Sequence, residues 1–203
     1  MILDKLRNRL KPLCAALDIH VHPLACFGRY KVASPEEDAR LLIEAAERSG
    51  VKKMCLFSLY TSVPREPTIE ECREANDYVK LMWDIEPDWF LPFCYVTPQF
   101  PEESAEEIDR CVGEMRFPGV KLWVARRATD KGLDPICEAA IRHDVPLLQH
   151  AWIKTTGNLP GESFPSDVAD MARRHPKARI IMAHLNGCGL RGIEDVRDCP
   201  NIF

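Results

Sequence analysis

Apolar residues in this chain gather into short runs, and between the runs the spacing switches to one apolar face every three or four positions. The runs are "ALDIHVH", "KKMCLFSLY", "FLPFCYVTP", "GVKLWVA", "VPLLQHAW" and "RIIMAHL", and "NIF" at the end starts a seventh. Each is rich in β-branched and aromatic residues and is predicted to be a strand. The stretches between them read as amphipathic helices. "SPEEDARLLIEAAERSG" opens with Ser34 as the cap, Pro35 at the first helical position and acids in the first turn, and closes on Gly50. "PEESAEEIDRCVGEM", "LDPICEAAIRHD", "FPSDVADMARRHP" and "LRGIEDVRDCP" follow the same grammar, and "TIEECREANDYVKLMWDIEPD" is the longest.

Strands that alternate with helices predict parallel strands joined by right-handed crossovers. An open doubly wound sheet would place a glycine-rich turn after its first strand, but that position holds "HVHPLACFG". Polar residues close strand after strand, where barrel enzymes assemble their sites. The prediction is therefore an α/β fold of the (β/α)8 TIM-barrel type. About six and a half of its units are present, in one domain spanning residues 1–203.

Composition narrows the partners. A formal charge of −4 gives no electrostatic reason to expect nucleic acid or an anionic membrane. No run is long enough to span a bilayer, and the charged start "MILDKLRNRLKPLC" has no signal-peptide core, so the expected location is cytoplasmic. Nine cysteines, odd in number and without a CxxC, argue against both a disulfide framework and a cysteine zinc site.

The six histidines divide by element. His143 and His175 lie at helix C-termini, where the macrodipole favours a cationic ring. His20, His22, His150 and His184 instead close strands 1, 5 and 6. Residues two apart on a strand point the same way, so His20 and His22 can offer two imidazole nitrogens to one ion. Imidazole is a common ligand for zinc and related divalent ions. Lys121 closes strand 4 inside an apolar run. It reads as a snorkelling or ion-paired lysine, as a carbamylated ligand bridging two metals, or as an ammonium that orients a substrate carboxylate.

In this order, "DIHVHP", "GVKLW", "LLQHAW" and "IIMAHLNG" resemble the amidohydrolase superfamily, closest to its "amidohydrolase 2" branch. That branch includes decarboxylases related to aminocarboxymuconate semialdehyde decarboxylase. The resemblance covers the chain from Leu17 on. It implies that His20, His22 and His150 bind a divalent metal, with zinc expected. His184 would be a ligand of a second metal or would orient water or substrate, and together with Lys121 it is the expected catalytic pair. It also implies an aspartate after strand 8 that binds metal and handles the proton of the attacking water. The sequence ends at "DCPNIF", barely into strand 7, so a C-terminal truncation is expected, with strand edges that invite pairing with another copy of the chain.

Loops on the same rim supply candidates for a small-molecule pocket: Arg29, Trp123, Trp152, Arg126 and its neighbour Arg127. The long segment "IKTTGNLPGESFPSD" after strand 5 reads as a lid. The leading functional expectation is a metal-dependent hydrolase of C–N or C–O bonds. A non-oxidative decarboxylase on the same scaffold and an inactive fragment or homologue are the alternatives.

Overall fold

The computed structural model of the chain describes residues 2–27, 30–59, 66–186 and 190–203. Six parallel strands alternate with helices, as successive units of a (β/α)8-type fold. The chain divides into two compact units, Met1–Thr61 with Ala75–Pro92, and Ser62–Glu74 with Phe93–Phe203.

In the first unit, β1 (Ala16–Val21) pairs with β2 (Val51–Leu56), and β2 pairs with the start of β3 (Phe90–Tyr95) through Met54↔Phe90 and Leu56↔Pro92. A short helix, α1 (Ile2–Leu10), precedes β1 and was not expected from the pattern. The crossover helix α2 (Pro35–Ser49) begins and ends where its caps dictate. The Ser34 side chain accepts the Glu37 N–H, and Gly50 takes φ 78°, a left-handed value that glycine adopts without a Cβ penalty. At the start of α3 (Ile69–Ile85), Thr68 and Glu71 form a reciprocal capping box, with bonds of 3.3 and 2.8 Å. Ala39, Leu42 and Ala46 of α2, Met54 and Leu56 of β2, Val79 and Met82 of α3, and Phe90 make one buried cluster. Each large side chain there contributes about 1.5–3 kcal/mol by leaving water.

In the second unit, Phe93↔Gly119 and Tyr95↔Lys121 join β3 to β4 (Gly119–Leu122). β4 pairs in turn with β5 (Leu147–Gln149), and β5 with β6 (Ile180–Met182). Beyond β6, Ile202 forms a parallel bridge to Ile180, which is the expected start of the seventh strand. The ladders are shorter than the apolar runs. The His150 N–H on Leu122 O is the last rung between β4 and β5, and the apolar residues after it pack as loop.

The connecting helices are α4 (Pro101–Ile108), α5 (Asp134–Arg142), α6 (Pro165–Arg174) and α7 (Leu190–Val196). The first of these runs into a wide π turn, Asp109–Glu114, marked by Met115 N–H on Arg110 O at 3.0 Å. His143 and His175 lie at the ends of α5 and α6 as expected, but each ring is held by a carboxylate: His143 by Asp109 at 2.6 Å and His175 by Asp134 at 2.8 Å. Cys55, Cys72, Cys94, Cys111, Cys137 and Cys199 are buried, and no disulfide joins the described cysteines. No helix among the described residues is long and apolar enough to cross a membrane.

Candidate metal centre

Each unit brings one pair of strand-end histidines together. In the first, His20 near the end of β1 and His22 just past it bring their rings together, with centroids 5.1 Å apart. Phe57, just past β2, packs edge-on against both rings. His22 Nδ1 lies 3.1 Å from Phe57 O. A carbonyl only accepts, so Nδ1 carries the proton and Nε2 keeps its lone pair, the form in which imidazole binds a metal. The turn that follows His22 is pinned by Asp38 of α2. Its buried carboxylate accepts Leu24 N–H at 2.8 Å, Ala25 N–H at 3.1 Å and Tyr78 O–H at 3.0 Å. The sequence offers Asp38 only as one of three first-turn acids, so its role in setting this turn is not legible there.

In the second unit, His150 follows β5 and His184 sits in the 3-10 turn Ala183–Asn186 after β6. His150 Nε2 meets Glu162 Oε1 at 2.7 Å, and His150 Nδ1 lies 3.0 Å from His184 Nε2. The carboxylate only accepts, so the His150 proton is on Nε2 and the lone pair of Nδ1 points toward His184. His184 reaches this position with φ 68°, a left-handed backbone that costs a non-glycine residue about 1–2 kcal/mol. Such strain is common at working sites.

Glu162 escaped the sequence reading. It lies in the long loop after β5 and is almost wholly buried. Besides His150 it takes the Lys154 ammonium at 2.9 Å and the Leu159 N–H at 2.9 Å. Burial pushes its carboxyl up, but the hydrogen bonds from Lys154 and His150 outweigh this and hold it below its ordinary value. The loop expected to be a lid is tied to itself. Trp152 N–H donates to Ser163 O at 3.0 Å, and Asn158 donates to Trp152 O at 2.7 Å. Gly161 allows this closure: its φ is +77°, and a Cβ there would sit 2.2 Å from Val124 O.

Lys121 is wholly buried in β4, and burial pulls its amine down from the usual lysine value to about 7. Burial, with the Lys121 charge second, lowers His150 to about 3 and His184 to about 4. Lys121 is thus close enough to bias both rings, and both are neutral imidazoles at pH 7.

Of the pocket candidates, Trp152 joins the pair: its ring lies 4.3 Å from that of His184 and 6.1 Å from that of His150. Trp123 is half-buried, directly after β4. Arg126 lines a cavity of about 710 Å³ with Val124, Leu159 and Pro160, where it is paired to Glu66 at 2.7 Å. Arg127 is a loop anchor, forked onto Asp167 with both bonds at 2.9 Å. Arg29 lies outside the described residues.

The donors suit a divalent transition metal. His22 has its Nδ1 engaged by Phe57 O, and His150 has its Nε2 engaged by Glu162 while its Nδ1 faces His184 Nε2. Neutral imidazoles of this kind suit zinc and its neighbours.

Solved structures of similar fold agree with this architecture. A 2,6-dihydroxybenzoate decarboxylase from Rhizobium superposes with a TM-score of 0.64 at 18% identity, covering 87% of this chain and 68% of its own. A dihydroxybenzoic acid decarboxylase from Polaromonas sp. JS666, with bound manganese and an inhibitor, gives 0.62 at 21% identity, covering 86% and 66%. A 4-oxalomesaconate hydratase from Rhodopseudomonas palustris gives 0.62 at 16% identity, covering 92% and 72%. The chain therefore spans about two thirds of the length of these structures. The family model described as Amidohydrolase matches residues 17–203. The match runs through nearly the whole sequence, and the chain belongs to the Amidohydrolase family.

Proposed function

We propose that the chain is part of a metal-dependent hydrolase that cleaves C–N or C–O bonds of a small molecule. His20, His22 and His150 are its metal ligands, and the ion is zinc by the preference of an all-imidazole donor set. The observation that carries the reading is the His150–His184 pair, with nitrogens 3.0 Å apart and the far side of His150 fixed by Glu162. Bound there, the ion supplies Lewis acidity, polarising a carbonyl or carboxylate and acidifying water.

The chain's own residues do the rest. Glu162 locks the His150 ring in one tautomer and one orientation, and Lys154 holds Glu162 ionised. His184 stands within hydrogen-bond reach of whatever occupies the space beside His150 Nδ1, and there it orients a water or a substrate oxygen. Trp152, packed on both rings, excludes bulk water from that side. Lys121 places an amine near both histidines, where it holds a substrate carbonyl or carboxylate.

That amine also favours a second reading, a non-oxidative decarboxylase, because a buried cation can fix the carboxylate that leaves as CO2. Two of the similar structures are of proteins named as decarboxylases. Product analysis on a panel of amides, esters and aromatic acids in 18O-labelled water separates the two. Label incorporated into the product supports hydrolysis, and CO2 release without it supports decarboxylation. Neither outcome with the metal-loaded chain would refute both.

A further inference from the structure

The geometry points to a second, thiolate-based site for a soft divalent ion, built from Cys94, Glu107 and Cys111 and independent of the proposed function. Cys94 comes from β3, Glu107 from the end of α4, and Cys111 from the π turn that continues it. All three are wholly buried, and one donor atom from each lies within 4.8 Å of the other two. The wide turn sets the spacing. Cys111 lies four residues beyond Glu107, and its thiol donates to Glu107 Oε1 at 3.2 Å. Cys94 approaches from the strand, with Sγ 3.8 Å from the Glu107 carbonyl oxygen. Cys72 of α3, also wholly buried, is close enough for its charge to bear on Cys94. Sequence spacing excluded a cysteine zinc site because no two cysteines fall close along the chain. The fold collects them from separate elements instead.

The donor chemistry selects the ion. Two sulfurs and one carboxylate oxygen suit zinc or cadmium and do not suit calcium or magnesium. Tetrahedral bonds to sulfur of about 2.3 Å require donor separations of about 3.7 Å, a contraction that small side-chain rotations supply. Charge also closes. Glu107 is gripped by Arg110 through bonds of 2.8 and 2.7 Å, which balances the carboxylate, while Arg73, 3.4 Å away, is half exposed and keeps its charge in solvent. The ion then displaces one proton from each thiol, forming two metal–sulfur bonds and releasing two protons. The dication and the two thiolates cancel. Burial otherwise keeps the Cys94 thiol protonated, so the site forms only with the ion.

The test is a cadmium titration of the chelator-stripped full chain. A thiolate-to-cadmium charge-transfer band in the ultraviolet should grow and saturate as the thiol site fills, with two protons released per ion bound there. The band should survive His150→Ala and Cys14→Ser, and it should vanish in Cys94→Ser and in Cys111→Ser. Should those two variants fail to fold by circular dichroism, mass-resolved alkylation of the His150→Ala chain decides. Cadmium should then slow labelling of Cys94 and Cys111 at least tenfold and leave the buried Cys137 unchanged. No band in the unmutated chain, a band that persists in folded Cys94→Ser, or equal labelling of all three thiols would overturn the site.

Discussion

Glu162 offers the deepest test of how the candidate centre is organised. The perturbation is Glu162→Gln beside Glu162→Ala. In the native chain the carboxylate is 1% exposed and accepts from His150 Nε2 at 2.7 Å, Lys154 Nζ at 2.9 Å and Leu159 N at 2.9 Å. Two of these donors belong to side chains that carry or can carry charge, and hydrogen bonds to charged groups are worth roughly 1.5–3 kcal/mol each. Alanine removes all three acceptor contacts and leaves a buried, neutral His150 N–H unanswered, a loss of roughly 2–3 kcal/mol. Glutamine keeps one oxygen for His150 but loses the charge that holds Lys154, a loss of about 1–2 kcal/mol. Urea denaturation of the metal-free chain reads both values. The 15N shifts of the His150 ring read the tautomer, with the proton on Nε2 in the native chain and a mixture of forms in Glu162→Ala. If both variants unfold within 0.5 kcal/mol of the native chain and the ring keeps its single tautomer, Glu162 does not orient His150.

Three further expectations follow from the same geometry. Lys121→Met keeps the volume of β4 and removes a buried amine whose folded value is about 7 against an ordinary 10.5. The unfolded chain holds this proton up to higher pH, so the lysine costs stability most at and below pH 7, and the cost fades as pH rises toward 10.5. The methionine variant should therefore gain stability over the native chain at pH 7 and lose most of that advantage by pH 10 in denaturant titrations. An advantage that grows with pH would refute the burial argument. Gly161→Ala forces a Cβ to 2.2 Å from Val124 O at φ +77°, and should cost more than about 2 kcal/mol in thermal or urea unfolding. Arg127→Ala removes a forked pair with Asp167 that is half exposed on the arginine side. It should cost only about 1 kcal/mol and leave metal binding within twofold, as measured by calorimetric titration.

Much of the fold could be read from the chain, because strands and helices are set by local periodicity. The order of strands, the Ser34 and Gly50 caps of α2, and the approach of Ile202 to Ile180 all follow from patterns within a few residues of one another. The ladders of β5 and β6 run for only three residues each, shorter than their apolar runs, because burial continues into loops after pairing stops. The π turn after α4 was missed because its residues keep a helical composition, and only tertiary packing widens the turn. Strand ends also revealed His20 and His22 as one pair. Glu162 and Asp38 could not be seen in the same way. Each acts through a loop or turn whose path follows no period, and their partners His150 and Leu24 lie twelve and fourteen residues away.

The central claim is that His20, His22 and His150 hold a divalent ion. Manganese binding to the stripped chain, followed by the electron paramagnetic resonance of the free ion, tests it most directly because a thiolate-rich site holds this hard ion poorly. The account predicts one bound ion in the native chain and at least tenfold weaker binding in each of His20→Ala, His22→Ala and His150→Ala, with the fold retained. Unchanged binding in the three variants would contradict it.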